Sequence, residues 1–99
     1  MMRALLFLHA REGSGPEVLR LLERRGVLAL AHGEPGFLGS EVAAALDDPD
    51  EILVVESWSS RELLDRWSAG TAPAWVDELE GLLSAPPQRR QYHVVEAMR

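Results

Sequence analysis

Between Ile52 and Trp67 the chain changes its hydrophobic period, and this switch constrains the fold more than any other feature. Ile52-Leu53-Val54-Val55-Glu56-Ser57-Trp58 is an apolar, β-branched run of strand length. Ser59-Ser60-Arg61-Glu62 follows, with Ser59 and Glu62 spaced as a capping box, and Leu63, Leu64 and Trp67 then recur at helical spacing. A strand that feeds directly into an amphipathic helix must have that helix packed back on its own sheet, which calls for a layered fold containing both element types.

The rest of the chain extends this plan. Ala4 to Ala10 is apolar on both faces and reads as a first strand covered on both sides. Gly13-Ser14-Gly15-Pro16-Glu17 turns the chain and opens a helix, with Ser14 and Glu17 as a second capping box. Val18, Leu19, Leu22, Ala29 and Leu30 mark the buried side of that helix and Arg20, Glu23 and Arg24 its wet side. Gly26 weakens its middle, and His32-Gly33-Glu34-Pro35-Gly36 ends it. Phe37 to Leu46 is a second strand, joined to the third by an Asp47-Asp48-Pro49-Asp50 turn as an antiparallel hairpin. Gly70-Thr71-Ala72-Pro73 kinks or breaks the second helix, and Trp75, Val76, Leu79, Leu82 and Leu83 continue an apolar stripe. Arg89 to Ala97 reads as a last strand.

The order βαββαβ predicts an α+β, ferredoxin-like domain spanning residues 1–99, in which a four-stranded antiparallel sheet carries helices on one face. Leu53 and Val55 point away from Ile52, Val54 and Trp58, so the uncovered face is also apolar and predicts a homodimer packed sheet to sheet. A net charge of −6 without a basic stripe argues against nucleic acid. Lysine is absent, which excludes Schiff-base chemistry, and so is cysteine, which excludes thiolate nucleophiles, disulfides and zinc-thiolate sites. Arg11 and Glu12 interrupt the apolar start before it reaches the length of a membrane span or signal core, so a cytoplasmic location is expected.

The candidate chemistry gathers on the third strand. Alternation puts Glu56 on the same face as Val54 and Trp58. A carboxylate beside an indole in a dry pocket has a raised pKa and can act as a general base toward a phenol or enol; the competing reading is an acid paired with Arg61 or Arg89. Trp58 reads equally as core, and Trp67 and Trp75 as core residues that would wall a pocket. His9, His32 and His93 lack the spacing of a preorganised metal set, so no metal is expected. His32 suits a helix end, whereas His9 and His93 lie on the terminal strands. Arg90 and Tyr92 share one face of the last strand, while Arg89, Gln91 and His93 share the other.

Glu34-Pro35-Gly36-Phe37-Leu38-Gly39, Asp48-Pro49-Asp50, Glu56-Ser57-Trp58-Ser59-Ser60 and the helix Glu62–Trp67 together resemble the antibiotic biosynthesis monooxygenase family. The resemblance implies a dimeric α+β barrel with a pocket between sheet and helices in each monomer. It implies oxygenation of an aromatic polyketide or quinol-like metabolite of secondary metabolism by dioxygen, without cofactor, with Trp58 as a catalytic residue; Glu56, from its place beside Trp58 on the strand, is the second catalytic candidate. His9, His32, Phe37, Val54, Trp67, Trp75 and Tyr92 are then expected around the substrate. Family oxygenases carry an Asn on this strand, where the chain has Val54 and Glu56 and no Asn anywhere. Haem-degrading members supply a His near the position of Asp77. A cyclase or isomerase using the same pocket and a non-catalytic ligand-binding accessory dimer are the alternatives.

Overall fold

The structure, a computed structural model, describes residues 1–70 and 75–98. Strand β1 (Met2–His9) leads to helix α1 (Gly15–Arg24) and a 3-10 turn (Val27–Ala29). Strands β2 (Phe37–Ala45) and β3 (Asp48–Trp58) follow, then helices α2 (Arg61–Ser68) and α3 (Val76–Glu80), and strand β4 (Gln88–His93). The four strands form one antiparallel sheet in the order β2-β3-β1-β4. This is the α+β, ferredoxin-like arrangement, in which each central strand runs through helices to an edge strand, β1 to β2 and β3 to β4.

Local chemistry accounts for the boundaries, including those that depart from expectation. The first helix stops near Arg24 rather than continuing to His32, because Gly26 takes a left-handed conformation (φ 62°) that helical residues avoid. Ala29 and Leu30 are consequently exposed, and Ala31 is the residue that enters the core. Ser14 stands at the N-cap of α1 but its hydroxyl caps nothing. The Asp50 carboxylate of β3 accepts hydrogen bonds from the Gly13 and Gly15 N–H groups instead (2.9 and 2.8 Å). In the second helix the cap is Ser60, not Ser59, with its hydroxyl accepting from Leu63 N–H at 3.3 Å. The β2–β3 turn is Leu46-Asp47, so Asp48, Pro49 and Asp50 belong to the strand, Pro49 lying near its first residue where a missing N–H is tolerated. β4 ends at His93 rather than Ala97, since Met2, which pairs with His93, is the first residue of β1. The expected break at Gly70-Thr71-Ala72-Pro73 falls, for residues 71–74, outside the described residues.

The helix-facing side of the sheet holds two apolar clusters. Leu8, Val18, Leu21, Leu22, Ile52, Val54, Leu79 and Leu83 form one, under α1 and α3. Met2, Ala31, Trp58 and Leu64 form the other, with Phe37, Leu63 and Trp67 packed on it, under α2. Gly36 (φ 83°) lets the loop before β2 approach α2, since a Cβ there would strike Leu63 and Ser59. The opposite side of the sheet has no helix. Leu5, Phe7, Leu53 and Val55 stand on it half-buried, with Arg3 hydrogen-bonded to Ser57 nearby.

Candidate functional site

Glu56 sits at the seam between the two clusters. On β3 it lies between Val54 of one and Trp58 of the other, on the same face as both. Antiparallel partners across a sheet share a face, so register alone gives its surroundings. Ser40 and Ala4 flank Glu56, and Gln91 lies beyond Ala4. Val42 and Leu6 flank Val54, with Arg89 beyond Leu6; Phe37 and Met2 flank Trp58, with His93 beyond Met2. All six residues of β4 are exposed, and Ala4, between Glu56 and Gln91 in the register, packs on the second cluster.

Trp58 is fully buried. Its ring meets Phe37 edge-on at 5.4 Å between centroids and lies 6.2 Å from the tilted ring of Trp67. Its indole N–H is buried with no completed hydrogen bond. The same N–H is close enough to Glu56 to favour the ionised carboxylate, but it falls outside the length and angle of a formed bond. Leaving such a donor unpaired costs about 1–3 kcal/mol. Partial burial raises the pKa of Glu56, and this effect outweighs the opposing influences of the Trp58 N–H and the Arg89 guanidinium. Arg61 pairs with Asp65 on α2 and not with Glu56. Glu56 makes no ion pair within 4.0 Å among the described residues.

The residues named from sequence separate into two groups. Glu56, Trp58, Phe37 and Trp67 come together, and Val54 borders them from the first cluster. Trp75 packs on that first cluster, away from Trp58. Tyr92 pairs with Arg3 on the uncovered face, where Arg90 lies over its ring at 5.7 Å, so alternation carries it away from Glu56. His9 is on that face too, at the far end of β1, 3.4 Å from Glu51. His32 is exposed in the loop after the 3-10 turn. Ala4 and Gln91 are cross-strand neighbours of Glu56 that residue-by-residue reading did not assemble, because pattern does not say which strand lies next to which; Arg89, offered from sequence as an ion-pair partner, lies one rung away on the same face.

Among the described residues no three His, Asp or Glu side chains converge as a metal-ligand set. Asp77, in the first turn of α3, is exposed and brings no imidazole for a haem iron. Neither of two open hollows is lined by Glu56: one of about 240 Å³ lies against Ser40, Val55 and Ser57 beside it, and one of about 320 Å³ between α1 and Leu82.

The arrangement is shared with proteins of solved structure. A candidate antibiotic biosynthesis monooxygenase from Deinococcus radiodurans superposes with a TM-score of 0.77 at 22% identity, covering 100% of this chain and 97% of that one. SnoaB, a cofactor-independent oxygenase from Streptomyces nogalater, gives 0.74 at 14% identity over 98% and 95% of the two chains. The haem degrader MhuD from Mycobacterium tuberculosis, with two haems in its active site, gives 0.73 at 20% identity over 100% of both. No curated protein matches the sequence. At these identities the superpositions establish the shared fold. Residues 1–77, from β1 through the Glu56–Trp58 strand end into α3, match the family's sequence profile, and the chain belongs to the antibiotic biosynthesis monooxygenase family.

Proposed function

We propose that the chain is a cofactor-independent monooxygenase acting on an electron-rich hydroxyaromatic compound of the aromatic polyketide or quinol type, in secondary metabolism. One observation carries this reading: a half-buried carboxylate of raised pKa, Glu56, stands beside a buried indole N–H without a partner. A carboxyl group tuned upward is a better acceptor for a weakly acidic proton than an ordinary surface acid. Glu56 removes a proton from the hydroxyl or an activated ring CH₂. The resulting anion is electron-rich enough to reduce dioxygen itself, so that CH₂ and O₂ become a carbonyl and water with no outside reductant. Trp58, fully buried and held by Phe37 and Trp67, is a positioning residue whose N–H acts on the site through the Glu56 carboxylate.

The working unit of this reading is a single domain over residues 1–99 that pairs as a homodimer through the uncovered sheet face and acts in the cytoplasm. No helix among the described residues is long and apolar enough to cross a membrane. The test is dioxygen uptake by metal-stripped protein with anthrone- and hydroquinone-like substrates, alongside Glu56→Gln and Trp58→Phe. Uptake is expected with the native chain, a loss of about 10²–10⁴-fold with Glu56→Gln, the range of general-base catalysis, and a smaller loss with Trp58→Phe. Turnover that persists without oxygen identifies a cyclase or isomerase; binding without turnover identifies an accessory dimer.

A further inference from the structure

The uncovered face of the sheet carries unlike features at its two edges. Register aligns Glu41, Val55, Leu5 and Arg90 in one rung, running from β2 at one edge to β4 at the other, and Gly39, Ser57, Arg3 and Tyr92 in the next rung of that face. At the β2 edge lies the hollow of about 240 Å³, lined by Gly39, Ser40, Glu41, Val55 and Ser57. The space over Gly39 is empty, since a Cβ there would meet nothing within 4 Å, and Glu41 is exposed beside it. At the β4 edge the Arg90 guanidinium lies over the ring of Tyr92, 5.7 Å from its centroid, and both residues are exposed. The cation–π contact holds the long side chain in place. The face thus offers an acidic hollow at one edge and a cationic knob at the other, and among the described residues Glu41 and Arg90 form no ion pair within the chain.

We infer that the knob of one chain seats in the hollow of a second copy, Arg90 of each subunit meeting Glu41 of the other, and that this reciprocal pair fixes how the two sheets are superposed. The inference rests on the homodimer reading and adds its symmetry axis and its polar contacts. Two aligned sheets pack face to face about a two-fold axis that lies between them, either along the strands or across them. An axis across the strands lays β2 on β2 and β4 on β4, which gathers Glu41 with its own copy and Arg90 with its own. An axis along the strands, between β1 and β3, lays β2 on β4. Knob then meets hollow at both edges, and Leu5 meets Val55 at the centre. The offset of about 30° between packed sheets moves edge residues by about one position, within the span of Arg90 and Tyr92 together. Each chain carries a net charge of −6, so two copies repel overall, and local opposite charges decide which orientation wins.

The test is sedimentation equilibrium of Glu41→Arg and Arg90→Glu, each alone and then mixed, with circular dichroism as the check on folding. Either variant alone brings like charges together at two symmetry-related contacts and should dimerise at least about tenfold more weakly than the native chain. An equimolar mixture of the two variants restores opposite charges at both contacts, so a heterodimer should recover most of the native affinity, with raised salt narrowing the differences. Arg20→Glu, the same change of charge on α1, should dimerise as the native chain does. Native-like dimerisation of both single variants, or a mixture no tighter than the variants alone, overturns the pairing and leaves the homodimer standing. A loss with Arg20→Glu equal to that with Arg90→Glu assigns the effect to net charge and overturns the pairing as well. A native chain that is monomeric at micromolar concentration overturns the pairing and the homodimer together.

Discussion

Glu56 and Glu78 are carboxylates moved in opposite directions by their surroundings. Burial raises Glu56, whereas the guanidinium groups of Arg25 and Arg24 lower Glu78. Above its raised folded-state pKa, Glu56 is ionised at a cost that the unfolded chain does not bear; the penalty fades as pH falls through that value and is gone below the ordinary carboxylate range. Glu56→Gln should therefore raise Tm at pH 7, with the gain vanishing in acid. Glu78 stabilises the fold above its unfolded pKa and loses that contribution as pH falls through its lowered value. Glu78→Gln should lower Tm at pH 7, with no difference remaining in acid. Salt should shrink the Glu78 effect, which arises from exposed charges, and leave that of Glu56, which arises from desolvation. Thermal melts at three pH values and two salt concentrations check both signs. Alternation along β3 was enough to put Glu56 beside Trp58. The assembly of Ala4, Arg89, Gln91 and His93 around it depends on β1 lying between β3 and β4, which is decided by long-range pairing. The expectation that Tyr92 and His9 line the site failed for the same reason, since their face relative to Glu56 follows from the register of β1 with its two neighbours.

At the scale of elements, caps show how local pattern and tertiary contact compete. Both capping-box patterns were visible in the sequence, yet neither is used as spaced. Around α1 the job passes to Asp50, distant in sequence, which binds two N–H groups ahead of the first turn. Gly15 permits this approach, because a Cβ there would collide with the Pro49 carbonyl. Ser14→Ala should thus change stability little, while Asp50→Ala should cost more, about 1–3 kcal/mol as two backbone donors lose their charged acceptor. Around α2 the cap slipped by one residue to Ser60, whose extended backbone suits an N-cap. Ser60→Ala should cost about 1 kcal/mol, a large share for a helix of 8 residues that holds Leu64 and Trp67 against Trp58. Denaturant melts of the three variants rank these effects. The end of α1 was misjudged because a single glycine reads as a weak point in a pattern, whereas in the fold its left-handed backbone closes the helix and frees Ala31 to enter the second cluster.

For the whole molecule, the uncovered sheet face sets the expected assembly. Leu5, Phe7, Leu53 and Val55 form its apolar centre and Arg3, Ser57, Glu41 and Tyr92 surround it. Val55→Asp should turn a dimer into a monomer without loss of secondary structure, because Val55 supports neither helix-side cluster; sedimentation equilibrium with circular dichroism checks it. A native chain that is monomeric at micromolar concentration removes the homodimer. The element order and the one-sided helix layer followed from hydrophobic period and connection rules, which is why the fold class was legible where the site was only partly so. The division of the core into two clusters bears on descent as well as on stability. Substitutions within either cluster disturb packing, whereas Glu56 lies between them and Arg89, Gln91 and His93 stand exposed beside them. Exchanges along that line are comparatively neutral for folding, so a lineage can drift from one reaction to another there while its architecture stays the same.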